Sequence, residues 1–311
     1  MTTPRSHGAA PQARTCCTRS GRRAKSIDDA RRAVSPSGAM GMEEAAIRAY
    51  YDRGEERDRL NDGAGQLEFL RTTEILARRL PPPPAVIADI GGGPGRYALW
   101  LASLGHQVEH RDLMPLHVSQ LQADAAEIAG IRTAVGDARE LDLPDASVDA
   151  VLLLGPLYHL VTRSERMDAI GEAVRVLRPG GPLFAAAITR WAFRIDGIVA
   201  KRIYDEYPAA LDLIDETERT GIMPPLHPGA FTSYLHRPEG LRAELTEAGL
   251  DVTGMVCVEG PAVILADLDT RMADPAERAV ILEAARAMES VPELLGFGPH
   301  LLATAIRPAA G

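Results

Sequence analysis

Val86-Ile87-Ala88-Asp89-Ile90-Gly91-Gly92-Gly93-Pro94-Gly95-Arg96-Tyr97 reads as an apolar strand ending near an acid, then a glycine-rich turn, then the start of a helix. Glycine adopts positive φ without steric cost and lets the backbone come close to a ligand. The following helix N-terminus presents unpaired N–H groups. Together these features fit a nucleotide-type cofactor. A dinucleotide fingerprint needs G-x-G-x-x-G. Counted from Gly91, its third glycine position falls on Arg96, so that spacing fails. The stretch runs D-x-G-x-G-x-G from Asp89 to Gly95 instead. A carboxylate beside the turn would repel a pyrophosphate and suits a ligand with an ammonium group and no phosphate.

Working outward, the chain alternates short apolar runs with helical periodicity. Strands are expected at 85–90, 107–112, 131–135, 148–154 and 183–188. Helices are expected between them at 95–104, 115–128 and 164–177. Continuous apolar strands separated by helices imply a parallel sheet covered on both faces. Upstream, helices are expected over 42–60 and 67–80, the second stopped by Pro81–Pro84. Downstream the rhythm breaks for about 50 residues (189–237), a stretch that carries Trp191, Phe193, Tyr204, Tyr207, Phe231 and Tyr234. A helix at 238–248, a strand at 252–258, a helical segment over 261–289 and a last strand at 300–306 complete the pattern.

Asp89–Gly95 resembles the first signature of the class I S-adenosylmethionine-dependent methyltransferases, and later residues match the family in order. The resemblance implies a Rossmann-like fold: a seven-stranded, mostly parallel sheet with helices on both faces and a helical lid. It implies S-adenosylmethionine as cofactor, with Asp89, Gly91, Gly93 and Gly95 at the loop. Asp112, about 20 residues past the glycines, takes the ribose hydroxyls, and Leu113 lies against the adenine. Glu109 is the alternative if the second strand ends early. In Gly136-Asp137-Ala138, Asp137 accepts from the adenine amino group and the Ala138 N–H reaches a ring nitrogen. Leu154 closes the fourth strand, and Asp149 at its start reads as structural. Tyr50-Tyr51-Asp52 through Arg59-Leu60 is similar to the lid of small-molecule members, so Tyr51 and Arg59 are expected near the methionine end of the cofactor. The expected organisation is a disordered tail (1–40), a helical lid (41–84) and the methyltransferase domain (85–311), with 189–237 as a helical substrate cover.

Methyl transfer is an in-line displacement at sulfonium, in which alignment in a dry pocket supplies much of the acceleration. A base is needed only when the acceptor must lose a proton. His159, just past the fourth strand in Leu154-Gly155-Pro156-Leu157-Tyr158-His159, is the first candidate. Tyr158 is a candidate for orienting the acceptor and Glu259 a second candidate base, with His236 and His300 further possibilities. The family's nucleic-acid amine methylases carry [Asp/Asn]-Pro-Pro-[Tyr/Phe] at the fourth strand, and no such motif is present.

Composition narrows the partners. The 311 residues are 46% hydrophobic and 25% charged, with a net charge of −9. Residues 1–41 hold eight Arg/Lys against two Asp, leaving 26 basic against 41 acidic groups in the rest. So acidic a body disfavours a phosphate backbone. The expected acceptor is a small molecule such as a natural product, with neither nucleic acid nor membrane as partner. An RNA methyltransferase and a non-catalytic S-adenosylmethionine-binding protein are the alternatives. Three cysteines (Cys16, Cys17, Cys257) form no metal-ligand or disulfide framework. The N-terminal stretch lacks the apolar core of a secretory signal, so a cytoplasmic monomer or homodimer is expected.

Overall fold

The computed structural model describes residues 36–227 and 229–309, with side chains from Glu44 onward. The expected tail lies outside the described residues up to residue 35. Met42–Gly311 forms one compact unit. Helix α1 (Pro36–Tyr51) begins earlier and ends earlier than the expected 42–60 helix. Gly54, at φ 75°, breaks the run, and a single 3₁₀ turn (Glu55–Asp58) follows. Helix α2 (Gly63–Ala77) buries Leu67, Ile75 and Leu76.

The central unit then alternates β1 (Val86–Ile90), α3 (Arg96–Ser103), β2 (Gln107–Asp112), α4 (Pro115–Asp124), β3 (Ile131–Val135), β4 (Ala150–Leu153), α5 (Arg163–Val176) and β5 (Pro182–Ile188). The segment after β5 is mostly helical: a π-helical run Phe193–Ala200, then α6 (Ala210–Thr220), then a two-residue ribbon of β6 (Ile222–Met223) and β7 (Ser233–Tyr234). It is followed by α7 (Pro238–Glu247) and β8 (Asp251–Cys257). The expected 261–289 helix is divided into α8 (Leu268–Ala273) and α9 (Pro275–Met288). Pro275 cannot continue the preceding helix, and the Asp274 side chain caps α9 by accepting from the N–H groups of Ala276 and Glu277. Strand β9 (His300–Ile306) completes the fold.

The sheet order is β3-β2-β1-β4-β5-β9-β8. β1 to β5 are mutually parallel, and β9 lies antiparallel between β5 and β8. Side chains alternate across the sheet, as the strand period of two requires. Ala88, Ile90, Val151, Leu153, Leu183 and Ala185 pack with Ile170, Ala173 and Leu241 of α5 and α7 on one face. Ile87, Ala150, Leu152 and Phe184 pack with Tyr97, Leu101, Leu121 and Leu76 on the other. These two apolar layers fix the sheet, so the C-terminal ends of β1, β2 and β4 converge in one crevice, the usual ligand position in such folds.

A buried polar cluster ties the segment after β5 to the sheet. Arg166 of α5 makes a bidentate contact with Glu244 of α7 and stacks over the ring of Tyr234 at 3.6 Å. His236 Nε2 meets the same carboxylate at 3.1 Å. Burial would raise the pKa of Glu244, but His236 and Arg166 outweigh it and bring it down to about 2. Asp149 accepts from the Val86 N–H and pairs with Arg178, joining the starts of β1 and β4. No helix among the described residues is long and apolar enough to cross a membrane.

Candidate active site

The loop after β1 is held in shape from below and from the side. Gly91 sits at φ 66°, and a Cβ there would lie 2.6 Å from the Pro156 ring. Gly93 sits at φ 58°, yet its Cβ would meet only Glu56 Cγ, at 4.0 Å. The outer side of Gly93 is therefore open to a ligand or to the lid, and backbone conformation is what requires glycine there. Beneath the loop, a Cβ on Gly92 would collide with the Asp89 carboxylate and the His110 ring. Asp89 thus lies under the loop on the α3 face, fully buried, and among the described residues neither oxygen has a hydrogen-bond partner at bonding geometry. Burial, then the nearby charge of Asp112, push its pKa up to about 7, and the Ala98 backbone N–H offsets part of the rise.

Strand β2 ends at Asp112. One Asp112 oxygen accepts from the Gly93 N–H at 2.8 Å, and the other from the Met114 N–H at 2.8 Å, with His117 Nδ1 at 2.9 Å. Burial alone would raise its pKa, but His117 and these N–H groups hold it below the usual value. A carboxylate offers about four acceptor positions, so Asp112 retains capacity for a further donor. Glu109, the alternative acid, is engaged by Arg132 and Arg111. Leu113 is half-buried beside Asp112, as is Leu154 at the end of β4. Asp137 is gripped by Arg139 through its backbone N–H and guanidinium, and Arg139 also reaches Glu165. Arg139 outweighs burial and lowers the pKa of Asp137. Ala138 packs against the sheet core.

The lid residues meet this crevice. Tyr51 shares a 2.9 Å hydrogen bond with His159 Nε2. Its ring lies edge-on to His117 at 5.2 Å and stacks with Phe231 at 6.1 Å. Phe231, from the segment after β5, also contacts Tyr50 at 4.9 Å and His159 at 4.6 Å. Arg59 bonds Glu56, which reaches over Gly93, and pairs with Glu68 of α2. Tyr158 lies against His159 at 4.5 Å, and burial drives its pKa upward. Burial also pulls the pKa of His159 down to about 4, so its imidazole is neutral at pH 7. Glu259 lies further along the sheet edge, against His300. His117, Arg139 and Glu68 are residues of this candidate site that the sequence did not single out, and Phe231 was named only as part of the aromatic stretch 189–237.

Among the described residues, Asp89 on β1, His117 Nε2 on α4 and His159 Nδ1 in the loop after β4 are buried polar groups without hydrogen-bond partners. Such groups are costly unless something satisfies them. With the open side of Gly93 and the spare capacity of Asp112, they fit a polar cofactor that carries hydroxyls and an ammonium group. Residues 87–181 match the family model described as a methyltransferase domain. Over that segment, under a third of the chain, the protein is similar to the class I S-adenosylmethionine-dependent methyltransferases, whose methyl donor is S-adenosylmethionine.

Among known proteins, the chain is similar to a ubiquinone/menaquinone biosynthesis C-methyltransferase of Acidiphilium cryptum: 36% identical over 121 residues, covering 38% of this chain and 47% of that protein. It is also similar to a probable tRNA methyltransferase 9B of Homo sapiens: 37% identical over 101 residues, covering 32% of this chain and 21% of that protein. The chain thus spans less than half the length of either relative. Among solved structures, the 1,6-didemethyltoxoflavin-N1-methyltransferase of Burkholderia thailandensis superposes with a TM-score of 0.54 at 16% identity. The match covers 89% of this chain and 92% of that one, and at that identity the likeness is one of fold.

Proposed function

We propose that the protein transfers a methyl group from S-adenosylmethionine to a small-molecule acceptor. The observation that carries this reading is the charge of the crevice. Asp112 and Glu56 flank the glycine loop, with Asp89 buried beneath it, an acidic setting that attracts a sulfonium and an ammonium and repels a diphosphate. In this reading Asp89 and the loop at Gly91, Gly93 and Gly95 cradle the methionine end. Asp112 takes the ribose, Leu113, Asp137 and Ala138 hold the adenine, and Leu154 backs the site. Arg59, which bonds the Glu56 that reaches over Gly93, supplies a positive charge for the cofactor's carboxylate.

When bound, the cofactor supplies an electrophilic methyl group. The chain's own residues align the acceptor and exclude water. Tyr51 and Phe231 close over the crevice, and Tyr158 orients the acceptor. Neutral His159 accepts a hydrogen bond without storing a proton. Glu259 belongs to the acceptor side. The aromatic cover favours a flat, partly apolar acceptor, and the acidic lining disfavours RNA. The tRNA methyltransferase relative keeps RNA as a second reading. We place the protein in the cytoplasm.

Calorimetry tests the core of this. S-adenosylmethionine and S-adenosylhomocysteine are expected to bind and NAD is not; NAD binding without S-adenosylmethionine binding would reverse the assignment. Transfer of labelled methyl to bulk tRNA would overturn the acceptor class alone.

A further inference from the structure

A second buried charged cluster occupies the same end of the sheet. Because β9 runs antiparallel, its first residue, His300, stands opposite Ile188 at the C-terminal end of β5. Glu259, 1% exposed, follows β8 and grips His300 twice. One carboxylate oxygen bonds the ring Nδ1, and the other accepts from the His300 backbone N–H at 3.2 Å. Glu68 Oε2 lies 3.7 Å from the same Nδ1 and accepts from Arg59 at 2.6 Å. The hydrogen bonds of His300 among the described residues run through its backbone N–H and Nδ1, and the side chain keeps 23% exposure. One edge of the imidazole is therefore anchored, and the other has no hydrogen-bond partner among the described residues. Tyr158, which packs on His159 in the aromatic wall, lies within range of the charges of Arg59 and Glu68.

We propose that His300 is the catalytic base of the methyl transfer, taking the proton of an aromatic hydroxyl on the acceptor, and that Glu259 is its positioning residue. The proposal rests on the methyltransferase reading above and narrows the acceptor to a phenol. A carboxylate at Nδ1 fixes the tautomer with the lone pair on Nε2. The hydroxyl proton passes to Nε2 and the oxygen's electron pair forms the bond to the methyl carbon. The electrons of the C–S bond stay on sulfur. One sulfonium charge is thus replaced by one imidazolium charge, and the products are an aryl methyl ether and a neutral thioether. The imidazolium then returns its proton to water.

The groups facing His300 are Glu259 after β8, Glu68 from α2 and Arg59 from the lid. Burial pulls its pKa down, but Glu68 and Glu259 outweigh burial and the opposing Arg59 and raise it to about 9. That lies near the ordinary phenol value of about 10, so proton transfer is close to balanced. His159, drawn down to about 4 and bonded to Tyr51 through Nε2, is a far weaker base.

The test uses the full chain, labelled S-adenosylmethionine and two probe acceptors: 2-naphthol, which must lose a proton, and 4-nitrophenol, which is mostly ionised at pH 8. Wild type is expected to methylate 2-naphthol, with a rate rising about tenfold per pH unit from pH 7 toward 9. His300→Gln should lower that rate about 100-fold or more, affect 4-nitrophenol far less, and leave S-adenosylhomocysteine affinity unchanged. Glu259→Gln should move the pH midpoint downward, which a purely structural residue would not do. Equal losses on both probes, an unmoved midpoint, or no methylation of 2-naphthol by protein that binds S-adenosylhomocysteine would overturn the proposal. So would a requirement for a divalent cation, removed by chelator, because the same three side chains would then hold a metal. Failure to bind S-adenosylhomocysteine would remove the methyltransferase reading itself.

Discussion

Tyr51 and His159, 108 positions apart in sequence, share a hydrogen bond of 2.9 Å that fastens the end of α1 to the loop after β4. A neutral hydrogen bond of this kind contributes about 1 kcal/mol. Tyr51→Phe keeps the ring contacts with His117 and Phe231 and removes only the hydroxyl. Cofactor affinity, measured by calorimetry, should fall about fivefold, and Tyr51→Ala should cost more. If neither variant changes affinity, α1 does not cover the bound cofactor.

Asp112 is expected to be the most sensitive cofactor contact, because it holds the Gly93 N–H as well as any ribose hydroxyl. Asp112→Ala should weaken S-adenosylhomocysteine binding by about 1–3 kcal/mol. Unchanged affinity in the same titration would take Asp112 out of the site.

Asp89 makes the ligand-free protein sensitive to pH. Its folded pKa, about 7, lies above the value of 3.8 for a free side chain. The native state therefore holds its proton more tightly, and stability is lost as pH rises from about 4 to 7. Asp89→Asn carries no charge to bury. At pH 8 the variant should unfold at a higher temperature than wild type, by up to about 4 kcal/mol of stability. The advantage should vanish below about pH 4, while cofactor affinity falls. Melting curves of both proteins across pH 3 to 8 check the sign.

The Arg166–Glu244 pair is buried on both sides, at 2% and 6% side-chain exposure. Glu244→Ala strands Arg166 and removes the partner of His236, so urea unfolding should show a loss of about 3–5 kcal/mol. A loss under 1 kcal/mol would mean that water reaches the cluster freely.

The central strands were legible because each is a short apolar run bounded by turn residues, and their order follows from the parallel pattern. The element ends that went astray depend on single residues. Gly54 adopts a left-handed conformation that stops α1 early, and Asp274 with Pro275 restarts a helix where apolar periodicity runs on. In the candidate site, Asp89 and Asp112 stand out in the sequence because glycines and strand ends mark them locally. Phe231 and Glu68 carry no such mark: they come to the crevice from the segment after β5 and from α2, and only tertiary packing brings them there. His117 is intermediate, lying five residues past Asp112 in the first turn of α4, where proximity alone gave a signal.

The reversed direction of β9 has a practical outcome. Its first residue stands at the crevice, while Ile306 lies opposite Pro182, where β5 begins. A tag or surface tether joined beyond Ile306 would leave from the far side of the molecule and keep the entrance clear. One joined ahead of Met42 would instead feed into the helix that bears Tyr50 and Tyr51, beside the crevice.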